Sequence, residues 1–122
     1  MPPMIVRIWM TNIAAEREAE YLAFAQQHSR EMFLSQTGCL GVMFLKENDG
    51  KHAACSFWSS RADIEVLASS SSYIATVADL TATGILVGEA TVTVYDVEGG
   101  AIDSLNFTTT LEKLSISSLP EK

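Results

Sequence analysis

The sequence is poor in the residues that mark several classes of protein. It contains two cysteines and three prolines in 122 residues, and its seven glycines form no repeat. This composition excludes a disulfide scaffold, a collagen-like chain and a low-complexity chain. Hydrophobic residues make up 48% of the chain and charged residues 19%, which predicts one folded domain with a single core.

Long apolar runs and an excess of basic residues are also missing. No run approaches the roughly 18 apolar residues of a membrane span, and the Met1-Pro2-Pro3 start has no basic segment, so we expect a cytoplasmic protein. Eight basic residues against fifteen acidic ones give a net charge of −7. Because such a charge repels phosphate groups, we predict no binding to nucleic acid or to anionic membranes.

Hydrophobic periodicity predicts four strands and two helical regions within a domain of residues 1–98. We expect a long helix over residues 13–35, a helical region interrupted by serines over 61–82, and strands over 4–11, 39–46, 51–58 and 89–97. Asn48-Asp49-Gly50 predicts a hairpin turn between the two middle strands. The order β-α-β-β-α-β is that of a ferredoxin-like α+β fold with an antiparallel four-stranded sheet.

In this fold the helices cover one face of the sheet and leave the other face bare. The first strand is apolar on its even-numbered side and carries Arg7 and Trp9 on its odd-numbered side. A bare sheet with apolar residues on both faces needs a partner. We therefore predict a homodimer, sheet against sheet, with Arg7 and Trp9 at or near the interface.

The turn also predicts which residues of the hairpin share a face. A loop of two or four residues places Phe44 and Cys55 on a packed apolar face, and Met43 and Trp58 around a cavity on the other face. A loop of three residues reverses this assignment. The same register puts Cys39 and Cys55 on opposite faces, too far apart to form a disulfide.

Two short motifs carry a resemblance to a known family. They are Thr37-Gly38-Cys39-Leu40-Gly41 after the long helix and Ser56-Phe57-Trp58-Ser59-Ser60 before the next helix. In this order of elements, they resemble the antibiotic biosynthesis monooxygenase family over about residues 4–97. The resemblance implies a dimeric α+β barrel. That wider group includes cofactor-independent monooxygenases of polycyclic phenols and heme-degrading enzymes.

The resemblance also bears on cofactors. Heme-degrading relatives have a histidine ligand in the helix after the tryptophan, and this chain has four serines and Tyr73 in that stretch. We therefore expect no heme, and without a glycine-rich phosphate loop we expect no nucleotide cofactor. The two histidines, His28 and His52, have no ligand partners at a suitable spacing, which predicts no metal site.

The candidate site residues come from the long helix, the hairpin and the last helical piece. His28 is the candidate proton acceptor if its helix face lines a cavity, although a structural role is the commoner use of such a histidine. Tyr73 is the second candidate catalytic residue. The candidates for holding an aromatic substrate are Tyr21, Phe24, Met43 and Trp58, with core packing as the alternative role. His52, beside the turn, is expected to be solvated.

These residues lead to two hypotheses about function. The first is a cofactor-independent monooxygenase, whose small aromatic or phenolic substrate itself gives an electron to oxygen. The alternative is a non-catalytic small-molecule-binding or structural dimer with the same barrel.

Residues 99–122 are predicted to form a tail after Gly99-Gly100. The spacing of Phe107, Leu111 and Leu114 suits one face of a short helix. Because these side chains are too apolar for a purely solvated segment, we expect the tail to pack on the domain or on the partner subunit.

Overall fold

The computed structural model describes residues 3–48 and 50–117, and its elements follow the predicted order. They are β1 (Ile5–Ile13), a 3-10 turn (Ala15–Arg17), α1 (Glu18–Phe24), a π-helical turn (Ala25–Ser29), α2 (Arg30–Leu34), β2 (Cys39–Asn48), β3 (Lys51–Trp58), α3 (Arg61–Ser69), α4 (Ser71–Ala82), β4 (Leu86–Asp96) and α5 (Ser104–Ser117). The sheet is antiparallel with strand order β2-β3-β1-β4. The predicted ferredoxin-like α+β fold is confirmed. The predicted start at Met1-Pro2, Asp49 of the predicted turn and residues 118–122 of the tail lie outside the described residues.

Local sequence signals determine several element boundaries. The Ser60 side chain accepts a hydrogen bond of 3.2 Å from the Asp63 backbone N–H and caps α3. Ser70 accepts a bond of 3.4 Å from the Tyr73 N–H and caps α4, so the serine run separates two helices. Gly38, at φ +81° before β2, lies so close to Asp63 that an added Cβ would be 2.1 Å from its carboxylate. A residue with a side chain does not fit there unless the Asp63 side chain moves, and the positive φ disfavours it as well.

The register of the hairpin differs from the prediction. Asn48 pairs with Lys51, as a two-residue turn requires, but a bulge between Lys46 and Asn48 shifts residues 41–46 by one residue, and a second irregularity between Cys39 and Gly41 shifts the register again. Phe44 consequently pairs with Ala54, on the helix-covered face of the sheet. The predicted assignment of faces was wrong because a shift of one residue turns every following side chain to the other face.

The same shift moves Met43, which pairs with Cys55 on the bare face of the sheet. Cys39 pairs with Trp58 and packs against the core under the helices. The two cysteines thus lie on opposite faces and are free thiols, as predicted.

Arg7 and Trp9 lie on the helix-covered face, so their predicted place on the bare face was wrong. Side chains alternate along β1, and its odd-numbered residues Ile5 and Ile13 are only 4% and 3% exposed under the helices. Arg7 and Trp9 lie between these two anchors on the same side of the strand. The bare face instead carries the even-numbered set of β1 and its pairing partners, among them Val6, Ile8, Met10, Phe57, Cys55 and Met43.

The core under the helices consists of two apolar clusters. The first contains Ile5, Met32, Phe33, Ala54, Trp58 and Leu67, and the second contains Ile13, Tyr21, Leu80 and Ile85. Trp9 packs against both clusters and so connects them. Among the described residues, no helix has the length and apolar character needed to cross a membrane.

The helix predicted in the tail is present as α5. Its residues Phe107, Leu111 and Leu114 line a groove of about 430 Å³ together with α1, α2 and the edge strand β2. Leu105 and Ile116 remain 75% and 70% exposed. The packing of the tail on the domain or on a partner therefore stays a prediction.

Candidate functional site

A small cavity lies between the helix-covered face of the sheet and helices α2 and α4. Its volume is about 40 Å³. Its apolar walls are Trp9, Met32, Phe33, Phe44, Ala54, Val77 and Leu80, and its polar lining is Arg7, Ser29, Tyr73 and Thr76. A cavity needs about 10–15 Å³ to hold one water molecule, so this space accepts water or a small polar group.

The most unusual group in the cavity is the Arg7 guanidinium. Arg7 is 6% exposed, and its Nη2 donates a hydrogen bond of 3.0 Å to the Tyr73 hydroxyl oxygen. Its Nη1 is buried and has no hydrogen-bond partner. Within residues 3–48 and 50–117, no carboxylate oxygen lies within 4.0 Å of the guanidinium. A buried cation without a counter-charge is costly, so its presence points to a binding role.

The Tyr73 side chain is positioned by two contacts with Arg7. The Arg7 guanidinium carbon lies 5.5 Å from the centre of the Tyr73 ring, in addition to the hydrogen bond to the hydroxyl. Because the Tyr73 oxygen accepts that bond, its own proton is left to donate to another oxygen. The two side chains together offer N–H and O–H donors inside an apolar enclosure.

The candidate proton acceptor His28 lies outside this cavity. Its predicted helix face assumed a uniform 100° per residue from Tyr21 to Met32, but residues Ala25–Ser29 form a wider π-helical turn. Tyr21 and Met32 are buried as expected, whereas His28 is turned to the exposed side. Ser29 lines the cavity in its place.

His28 lies instead in an outer groove of about 350 Å³ between the first helical region and α4. Its ring is 5.0 Å from the ring of Phe24, and the groove also contains Glu31 and Asp79. Met32 and Thr76 line both the groove and the inner cavity. These two side chains therefore form a partition between the two spaces.

The remaining predicted substrate-binding residues are separated by the fold. Tyr21 is 3% exposed in the second apolar cluster, where burial raises its pKa to about 12. Trp58 is fully buried, and its Nε1 donates a hydrogen bond of 2.8 Å to the Ser56 hydroxyl. Met43 lies on the bare face. Of the predicted site residues, Tyr73 lines the cavity, while Phe24 and His28 line the groove.

Sequence reasoning missed Arg7, Ser29, Met32 and Thr76 as cavity residues. The available signal for Arg7 was an arginine inside an otherwise apolar strand. The alternation of side chains along β1 does not by itself show which face of the strand the helices cover. Ser29 had no usable signal, because the π-helical turn that moves it inward is not visible in the hydrophobic pattern.

His52 is buried, so the prediction that it is solvated was wrong. It is 7% exposed, its ring lies 5.0 Å from that of Tyr21, and its Nε2 is 3.5 Å from Glu18 Oε1. Glu18 accepts hydrogen bonds of 2.9 Å from Lys46 Nζ and 2.6 Å from the Gly50 N–H. These bonds, that from Lys46 first, lower the pKa of Glu18 to about 2. Glu18 thereby attaches the start of α1 to the tip of the hairpin.

We expect Glu18→Gln to flatten the acid side of the stability profile. The pKa of Glu18 in the folded chain is about 2, below its ordinary value of 4.5. Its stabilising contribution is therefore complete above pH 4.5 and is lost as the pH falls toward 2. Urea unfolding measured at several pH values in this window should show that the free energy of unfolding changes less with pH in the variant than in the unmodified protein.

The matched control is Glu20→Gln, which removes a surface carboxylate from the same helix. Glu20 pairs at 2.8 Å with the exposed Arg17 and does not reach the hairpin. If the Glu18 and Glu20 variants have the same pH dependence as the unmodified protein, the hairpin contact has no stabilising role.

The described part of the chain contains no group of three or more His, Cys, Asp and Glu side chains placed to hold a metal ion. The titratable side chains that line the two spaces are Arg7 and Tyr73 in the cavity, and His28, Glu31 and Asp79 in the groove.

Comparison with known proteins identifies the fold. No protein-family model and no curated protein matches the sequence. A protein from Caulobacter crescentus CB15 named a "putative antibiotic biosynthesis monooxygenase" has a TM-score of 0.68 and 13% identity, covering 80% of this chain and 92% of that one. Rv0793 from Mycobacterium tuberculosis has a TM-score of 0.65 and 15% identity, covering 81% and 99%. A protein of unknown function from Nitrosomonas europaea has a TM-score of 0.67 and 11% identity, covering 82% and 94%.

These similarities extend over most of both chains at low identity. They confirm that this chain shares its fold with solved structures that carry the family name indicated by the sequence motifs.

Proposed function

We propose that this protein is a cofactor-independent monooxygenase of the antibiotic biosynthesis monooxygenase type, acting on a small aromatic or phenolic substrate. The supporting observation is the small, mostly apolar cavity that Arg7 and Tyr73 line together. The names of several structures with the same fold support the family-level part of this proposal.

The chemistry requires little from the protein if the substrate supplies the electrons. A ring with a phenolic oxygen and an adjacent CH₂ group can be deprotonated and then give an electron to O₂. In the complete reaction the CH₂ loses two hydrogens and gains one oxygen atom as a carbonyl. The second oxygen atom leaves with these hydrogens as water, and the substrate provides all four electrons. The protein must enclose the ring, exclude bulk water and stabilise the intermediate charge.

The site offers a role for each of its parts. The Tyr73 hydroxyl, positioned by Arg7, donates a hydrogen bond to the substrate oxygen. The cavity of about 40 Å³ is smaller than the roughly 150 Å³ cavity that admits benzene, so the ring must extend through the partition into the outer groove. Met32 is flexible enough to move aside, and Phe24 and His28 then flank the ring. His28 is the candidate to accept a proton from a substrate hydroxyl that lies in the groove, because the oxygen bound to Tyr73 lies on the other side of the partition.

Oxygen uptake with a panel of hydroxylated polycyclic aromatics tests this proposal. We expect Tyr73→Phe to lower kcat/KM by about 10–100-fold, the effect of losing one hydrogen bond to a charged oxygen. Tyr95→Phe is the matched control, because Tyr95 lies on the bare face of the sheet, away from the cavity, and sedimentation of this variant checks that its oligomeric state is unchanged. No uptake above that of the buffer with any compound, or equal rates for Tyr73→Phe and the unmodified protein, would contradict the proposal.

A non-catalytic binding protein is the alternative, and one observation favours it. The cavity lining contains arginine, serine, threonine and tyrosine, with no histidine or carboxylate among the described residues. A site without a base in contact with the ligand suits binding as well as catalysis. Saturable binding of a phenol without any oxygen uptake would distinguish this function from the first.

We also propose that the protein is a homodimer formed through the bare face of the sheet. Val6, Ile8, Met10, Met43 and Phe57 lie there and stay partly exposed in a single chain. A sheet packs its apolar face against another layer, and a second copy supplies the same face by two-fold symmetry.

A further inference from the structure

We propose that Arg7 is an anion-binding residue, so that the cavity takes the ionised form of a small planar ligand. The ligand class is an aromatic oxyanion, either a phenolate or a carboxylate. This inference rests on the proposed function for the location of the site, and it adds the charge state that the site selects.

The first support is the contrast between Arg7 and other arginines of the chain. Arg17 pairs with Glu20 at 2.8 Å, and Arg61 pairs with Asp96 at 3.1 Å, both at the surface. Arg7 is 6% exposed, and none of its side-chain nitrogens lies within 4.0 Å of a carboxylate oxygen of the described residues. Arg7 is therefore a buried arginine that has no counter-charge among the described residues, whereas Arg30, which also forms none of these ion pairs, is exposed to water.

The second support is the orphaned donor. Nη2 is used by the Tyr73 hydroxyl, whereas Nη1 is buried without a partner, and Arg7 is one of the residues that line the cavity. Buried N–H groups are nearly always satisfied, so this atom requires a ligand or a water molecule. An oxyanion satisfies both the charge and the donor, whereas water satisfies the donor alone.

The third support is the surroundings of the pair. Trp9, Phe33 and Phe44 form part of a low-dielectric wall, in which the charge of Arg7 is weakly screened. An oxygen anion that accepts a bond from Nη1 can also receive the remaining proton of the Tyr73 hydroxyl. The outer groove carries the carboxylates Glu31 and Asp79, which do not favour anions. The preference for an oxyanion is therefore assigned to Arg7.

The direct test is the ionisation state of bound 4-nitrophenol, whose absorbance differs between phenol and phenolate. Titrated with the full-length protein at a pH where the free compound is mostly neutral, it should bind with the phenolate spectrum. Arg7→Gln should abolish this spectral change and weaken binding at least 10-fold, while Arg7→Lys should retain part of both. The surface variant Arg17→Gln should bind as the unmodified protein does. The affinities for benzoate and for neutral benzamide, compared in the same variants, test whether the site binds a carboxylate.

Two further readouts keep the test independent of folding defects. Arg7→Met should melt at or above the temperature of the unmodified, ligand-free protein, because it removes an uncompensated buried charge. It should also lose the rise in melting temperature that benzoate produces. Anion binding unchanged in Arg7→Gln, or neutral analogues that bind as tightly as their anions, would overturn the proposal.

The outcome is separable from that of the proposed function, since binding is measured without oxygen. Anion binding that depends on Arg7, with no oxygen uptake, supports the anion site and contradicts the monooxygenase. Oxygen uptake that Arg7→Gln fully retains overturns the anion site and leaves the monooxygenase standing.

Discussion

Trp58→Ala is expected to lower the free energy of unfolding by about 3–5 kcal/mol. Trp58 is fully buried at the end of β3, and it packs in the first apolar cluster with Ile5, Phe33 and Leu67. Truncation removes its apolar contacts and leaves a cavity that the sheet and α3 can close only partly. Because ordinary domains have about 5–15 kcal/mol of stability, the variant should unfold at a much lower denaturant concentration. Equilibrium unfolding followed by far-UV circular dichroism measures this loss.

Trp58→Phe separates packing from hydrogen bonding at the same position. It keeps an aromatic ring in the cluster but removes the Nε1 donor that binds Ser56 at 2.8 Å. We expect a loss of about 1–3 kcal/mol for this variant, because the fully buried Ser56 oxygen then accepts no hydrogen bond and keeps only the 3.4 Å bond that its hydroxyl donates to the Arg7 carbonyl. If Trp58→Ala loses less than about 1 kcal/mol but binds phenols poorly, Trp58 is a pocket wall, the other role that the sequence left open.

Ile8→Asp is expected to raise the dissociation constant of the dimer by at least about 1,000-fold, equivalent to roughly 4 kcal/mol. Ile8 lies in the central strand β1 on the bare face, opposite Cys55 of β3 and Thr93 of β4. In a two-fold dimer formed through this face, the substitution buries two unpaired carboxylates, one from each subunit. Sedimentation velocity over a range of concentrations should show the shift from dimer to monomer.

The control for this experiment is Val66→Asp, on the outer side of α3. Val66 is 58% exposed, and its position leaves the bare face unchanged. The same charge placed there should leave the sedimentation of the dimer unaltered. If the unmodified protein sediments as a monomer at every concentration, or if Ile8→Asp remains dimeric, the sheet face is not the interface.

The order and type of the elements could be predicted because their signals are local. β3 begins at Lys51 and ends at Trp58, as its composition and the preceding turn indicate. Ser60 caps α3, and Gly38 supplies the positive φ at the entry to β2. Each of these signals depends on residues close together in the chain, so no knowledge of the packing was needed.

The candidate site was predicted less well, because it depends on two irregularities of the backbone. The bulge between Lys46 and Asn48 brings Phe44 to the helix-covered face, and the π-helical turn brings Ser29 to the cavity while it turns His28 away. Each irregularity changes the phase of a regular pattern by about one residue. A pattern read with a constant period then predicts the wrong side for residues next to the irregularity, such as Phe44 and His28.

The sequence alone therefore determined the ferredoxin-like α+β order, the caps and turns, and the absence of a disulfide between the cysteines. Tertiary structure decided which face of β1 the helices cover, and hence that Arg7 is buried beside Tyr73. The physical reason is that alternation defines two sides of a strand, but only the packing of Ile5 and Ile13 against the helices chooses between them. That choice places an unpaired charge in an apolar cavity, and the proposed chemistry of the protein follows from it.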